Sequence, residues 1–98
     1  MNIQAMMKQA QKLQKDMMKA KEEIDETTFT GTSSLVTVEM KGNKEVTKVT
    51  IDSNSIDVDD IEMLEDMILV AINDTIKQID KMTETKMGKY TKGMPGLF

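Results

Sequence analysis

Ninety-eight residues, 39% of them hydrophobic and only three aromatic, with a net charge of -4, make one small domain whose modest core leans on oligomerisation at this size. The chain holds neither Cys nor His, which excludes disulfides, thiolate or imidazole metal sites and Cys- or His-based catalysis, and points to a cytoplasmic protein. The first twenty residues are rich in charge and the longest apolar run, Met67 to Ile72, is far too short to cross a bilayer, so neither a signal peptide nor a membrane span is expected.

The first helix is read from about Asn2 to Glu26, over good helix formers such as Ala, Met, Lys, Gln and Glu. Asn2 is the expected N-cap, and the β-branched pair Thr27-Thr28 ends the run. Ile3, Met6, Ala10, Leu13, Met17, Ala20 and Ile24 follow steps of 3 and 4, the a and d pattern of a coiled-coil-like seam. Lys8, Lys12, Lys15 and Lys19 fall on the f and c positions and line the opposite face. Lys21 sits on the e edge, beside Glu22 and Glu23. This stripe is either a plain solvated face or a surface for a polyanion.

Three strands are expected next. Thr27 to Thr32 has Phe29 as its one large apolar residue. Leu35 to Met40 puts Val36, Val38 and Met40 on one face, and Val46 to Asp52 puts Val49 and Ile51 on one face. Gly42-Asn43 is expected to supply positive φ for the hairpin between the last two. The reading is a three-stranded antiparallel meander with one face covered by helix.

Ser53-Asn54-Ser55 reads as a turn. A second helix is expected from near Asp59, with Glu62 completing an acidic capping box, to about Met87. Its stripe runs through Ile61, Leu64, Ile68, Ala71, Thr75, Ile76, Ile79 and Met82. The stretch Met63 to Ile72 is apolar enough to be buried on more than one side. Asn73 and Asp74 are either a polar pair at a dimer seam or solvent-facing. Lys77 and Lys81 form an i, i+4 pair, and Lys86, Lys89 and Lys92 extend a basic end. Residues 88–98, with Gly88, Gly93, Pro95 and Gly96, read as a flexible tail.

The two expected helices would span roughly 36 and 42 Å, against a sheet roughly 14 Å wide with strands of about 20 Å. The helices therefore overhang, and an overhanging apolar seam is covered most simply by a second copy. A homodimer is expected, with Ile3, Met6, Ala10, Leu13, Met17, Leu64 and Ile68 as its dimer or core seam.

Charge is segregated along the chain. Residues 1–21 hold five Lys against Asp16 (+4), residues 22–74 three Lys against fourteen acids (-11), and residues 75–98 five Lys against two acids (+3). A polyanion is attracted to the helical ends and repelled by the middle. The acidic cluster Asp57, Asp59, Asp60, Glu62, Glu65 and Asp66 does not fit a calcium loop. Counted from Asp52, such a loop would place Ile56 at a ligand position and Met63 at the closing Glu. Acids at a helix N-terminus account for the cluster better. No metal, cofactor, small-molecule substrate or catalytic machinery is expected.

MMKQAQKLQKDMMKAKEEI (6–24), VTVEMKGNKEVTKVTID (36–52), DDIEMLEDMILVAINDTIKQIDK (59–81) and GMPGL (93–97) closely resemble the YbaB/EbfC family of bacterial nucleoid-associated proteins. The resemblance implies an α+β homodimer with projecting, tweezer-like helices that binds duplex DNA with little sequence dependence, organising the nucleoid and modulating gene expression. The DNA-contacting candidates are Lys8, Lys12, Lys15, Lys19, Lys21, Lys77 and Lys81. Ser33-Ser34 stands where the family usually has glycines, Ser53 where it has Pro, and Thr75 where it has Ala. Arg is absent, which favours backbone contact over bidentate base readout. The rival readings are a protein-interaction adaptor in replication or repair complexes, and a peripheral membrane helix. The second lacks an aromatic anchor on the first helix.

Overall fold

Asn2 caps the first helix as expected: its side chain accepts from the backbone N–H of Gln4 at 3.1 Å and of Ala5 at 3.3 Å. Helix α1 runs over Ile3–Glu26. Thr27 then turns extended, its hydroxyl donating to the Glu23 carbonyl at 2.6 Å. The computed structural model describes residues 2–52, 54 and 58–91. After α1 come strands β1 (Thr28–Ser33), β2 (Val36–Lys41) and β3 (Val46–Ile51), a 3-10 turn at Val58–Asp60, and helix α2 (Ile61–Thr91). The sheet is an antiparallel meander in the order β1-β2-β3, the α+β architecture read from the sequence.

Alternation decides which face of the sheet is buried. Phe29 and Gly31 from β1 pair with Met40 and Val38 from β2, and together with Val36 they form the floor on which α2 lies. Ala71, Thr75 and Ile79 are the buried ridge of α2, flanked by the half-buried Leu64, Met67, Ile68, Ile72 and Ile76. The fully buried large ones, Val36, Val38, Met40 and Ile79, each contribute about 1.5–3 kcal/mol on burial. The approach is close at Gly31, where a Cβ would lie 2.6 Å from the Ala71 carbonyl and would strike the Thr75 hydroxyl. That buried hydroxyl donates to the Ala71 carbonyl at 2.7 Å, so Thr75 carries no unsatisfied group into the core.

α2 packs over β1 and β2 only. The register places Val49 and Ile51 on the inner face, opposite Val38 and Val36, yet every residue of β3 is exposed.

The hairpin is built differently from the expectation. Gly42 does not carry the positive φ; Lys44 does, at 71°. The Lys44 N–H donates to the Lys41 carbonyl at 2.8 Å, the Lys41 N–H to the Glu45 carbonyl at 2.9 Å, and Asn43 Oδ1 accepts from the Glu45 N–H at 2.9 Å. This is a three-residue loop closed by a left-handed residue. Gly42 is needed for a different reason. It is buried against the end of α1, and a Cβ there would collide with the Ile24 carbonyl.

Further differences concern α2. It begins at Ile61 after the 3-10 turn, so Asp59 is not its cap. Met63, Leu69 and Val70 are exposed, so within the protomer the apolar stretch Met63 to Ile72 buries one face rather than several. Asn73 and Asp74 face solvent in the protomer, Asp74 accepting from Gln78 at 3.1 Å. The helix also continues through Gly88 to Thr91, which removes residues 88–91 from the expected tail. Tertiary packing overrides the glycine, because Met87 and Tyr90 are buried against Met17, Ala20 and Ile24. Residues 92–98 of that tail, and Ser53 and Ser55 of the expected turn, lie outside the described residues.

The overhang deduced from element lengths is present. The molecule measures 71 × 20 × 14 Å. The second half of α1 and the last part of α2 leave the sheet side by side as an arm, and residues 2–16 of α1 run on alone, all exposed.

Candidate nucleic-acid interface

The arm has one greasy side and several charged ones, as the heptad dictates. Met17 and Ile24, with Ala20 between them, seal against α2. Lys8, Lys12, Lys15 and Lys19 are exposed, spaced over roughly 16 Å of helix. Among the described residues none of the four is ion-paired; the salt bridges are Lys21–Asp25 at 3.3 Å and Lys44–Asp80 at 3.4 Å. Lys21 is thus a candidate whose charge is met within its own helix.

Lys77 and Lys81 are also exposed. Each lies two residues beyond a buried member of the α2 ridge, Thr75 or Ile79, hence roughly 200° round the helix and away from the sheet. Neither of them lines the groove that holds Lys19.

Lys86 and Lys89, which the sequence reading leaves out of the site, line one groove of about 370 Å³ with Lys19, bordered by Asp16, Glu23, Thr85 and Tyr90. Lys89 also stands over the Tyr90 ring, 5.0 Å from its centre. The signal for them was the continuation of the apolar spacing through Met87 and Tyr90, masked by the intervening Gly88. Of the seam candidates, Met17 is buried and Leu64 and Ile68 are half-buried in the sheet core, whereas Ile3, Met6, Ala10 and Leu13 are exposed.

The electrostatic division follows the architecture. Residues 2–21 and 81–91, the arm, hold eight Lys against Asp16 and Glu84 (+6), while residues 22–80 hold four Lys against fifteen acids (-11). No helix among the described residues is long and apolar enough to cross a membrane.

The profile of the YbaB/EbfC DNA-binding family matches residues 1–94. The chain belongs to that family. Among its relatives, a nucleoid-associated protein of Lactococcus lactis subsp. cremoris (strain MG1363) is 53% identical over 97 residues, covering 97% of this chain and 98% of the relative. A nucleoid-associated protein of Ligilactobacillus salivarius (strain UCC118) is 46% identical over 99 residues, covering 99% and 95%. In three dimensions the chain is similar to the crystal structure of uncharacterized protein HP0035 from Helicobacter pylori, with a TM-score of 0.75 at 20% identity, covering 92% of this chain and 97% of that one. The two share one fold: a helix, three antiparallel strands and a long helix.

Proposed function

We propose that this protein works in the bacterial nucleoid as a homodimer that grips duplex DNA by its phosphates, with little regard to sequence, and so organises DNA and modulates gene expression. The grip comes from Lys8, Lys12, Lys15 and Lys19 on α1, joined by Lys86 and Lys89 across the groove; Lys77 and Lys81 flank it. The observation that carries this reading is the charge division: an arm of +6 standing clear of a body of -11. The body repels DNA and the arm attracts it, so only the arm can dock.

The mechanism is counterion release. The stripe from Lys8 to Lys19 faces roughly ten phosphate charges of duplex. Two protomers each neutralising three or four phosphates would give a slope of log K against log salt of about -5 to -7. Lysine meets phosphate as a point charge and has no fork for guanine, so backbone contact dominates. A slope shallower than about -2 would defeat the mechanism.

The dimer forms through β3. Among the described residues its outer edge has no strand partner, and Val46, Val49 and Ile51 stand exposed on the core-facing side, with Ile61, Met63, Leu69 and Val70 exposed on the first half of α2. An isologous contact through such an edge covers both copies at once.

The deciding experiment is the triple variant Lys12→Glu, Lys15→Glu, Lys19→Glu, titrated onto unrelated duplexes at low salt. It is expected to keep its helical circular dichroism and its mass by light scattering while losing its gel shift. Undiminished binding would mean that another face holds DNA. A parent protein that shifts no duplex would favour the adaptor reading.

A further inference from the structure

We propose that the projecting half of α1 pairs antiparallel with the same segment of a second copy, a contact separate from β3 that joins dimers into larger assemblies. The inference does not rest on DNA binding. Its starting point is a seam that outruns its partner. Tyr90, near the end of α2, lines the same groove as Asp16, and beyond that point Leu13, Met6 and Ile3 are 43%, 56% and 70% exposed. The a and d positions thus continue without a break from the buried α1–α2 contact into open solvent, along a groove of about 510 Å³ lined by Met6, Gln9, Ala10, Lys12, Leu13 and Asp16.

What the seam fits is itself, reversed. In antiparallel helix pairs an a position opposes a d position. Centred on Lys8, the pairing sets Ile3 against Leu13 of the second copy and Met6 against its Ala10, so every layer is filled and the bulky Met meets the small Ala. A parallel pairing would stack Ala10 on Ala10, leaving a thin layer, and would align the two lysine stripes. The flanks agree with the antiparallel choice. Positions e and g of this half are Asn2, Met7, Gln9, Gln14 and Asp16, so Met7 faces Met7, Gln9 faces Gln9, and Asn2 faces Asp16. No like charges are opposed. Lys8, Lys15 and Lys19 stay outside the contact and Lys12 borders it, so two DNA-bound dimers could be bridged through their tips.

Because the chain has no Cys, the register can be read chemically. Single variants Met6→Cys and Ala10→Cys, mixed under mild oxidation, are expected to give the mixed disulfide in clear excess over either self-linked species, with Lys8→Cys, pointing outward, linking little. A mixed species no more abundant than the statistical share would overturn the pairing. In parallel, the double variant Met6→Glu, Leu13→Glu is compared with the parent by light scattering across a concentration series. Both changes are on exposed helix, and circular dichroism confirms folding. The parent is expected to double its mass at high concentration and the variant to hold its lower value, while both shift DNA at limiting protein. Equal masses throughout would overturn the proposal and leave the seam to the chain's own residues 92–98 or to a different protein.

Discussion

One glycine and one serine show how single residues shape this fold. Gly42 is readable in the sequence as a turn residue, but its indispensable property is the missing Cβ that lets the end of α1 sit on the hairpin. Gly42→Ala is expected to cost about 3 kcal/mol, read as a lower urea midpoint at unchanged m, because a backbone carbonyl cannot step aside as a side chain can. Ser34 stands at φ 49° where the resembling family usually has glycine, a left-handed conformation that costs a non-glycine residue about 1–2 kcal/mol. Ser34→Gly is therefore expected to raise stability by up to about 1 kcal/mol, the gain being trimmed by the greater freedom of glycine in the unfolded chain. The composition of a turn is visible in sequence; which of its residues is left-handed, and which touches a distant helix, is not.

At the scale of elements, periodicity carried most of the information. The seam of α1, its N-cap and the alternation of β2 all follow from local pattern and are all present. The end of α2 was not legible, since Gly88 and the glycines after it spell a stop, while the reason to continue lies on α1. Met87 and Tyr90 bury themselves against Met17 and Ile24, and that contact outweighs a propensity penalty of about 1 kcal/mol. A Cβ at Gly88 would meet nothing within 4 Å. Gly88→Ala is accordingly expected to stabilise the arm by about 0.5–1 kcal/mol. Thermal melting checks this, at about 4–8 °C per kcal/mol for a domain of this size. Gly88→Pro should do the reverse, breaking the helix before Tyr90.

For the molecule as a whole, the unsolved packing problem sits at β3. A helix can cover about two strands of a sheet, and α2 lies on β1 and β2, leaving Val46, Val49 and Ile51 in solvent. If that surface joins the proposed homodimer, Val49→Lys with Ile51→Lys should yield a folded protein of half the mass by light scattering at low concentration. The same variant should lose DNA affinity and show a roughly halved salt slope, because only one arm's phosphates are neutralised per complex. An unchanged mass would place the dimer contact elsewhere. The triple lysine variant is expected to lose DNA without changing this mass, so the two surfaces can be separated.

By itself the sequence determined the order and kind of the elements, the apolar seam with lysines opposite it, and the excess of acid between two basic ends. These are properties of neighbours along the chain, set by periods of two and of three to four residues. The tertiary structure alone decided where α2 ends, why Gly31 and Gly42 are glycines, and that Lys86 and Lys89 stand beside Lys19. It also decided which half of the α1 seam is sealed. Those outcomes depend on residues far apart in the chain meeting in space, where the close approach of backbones and the burial of side chains outweigh local preference.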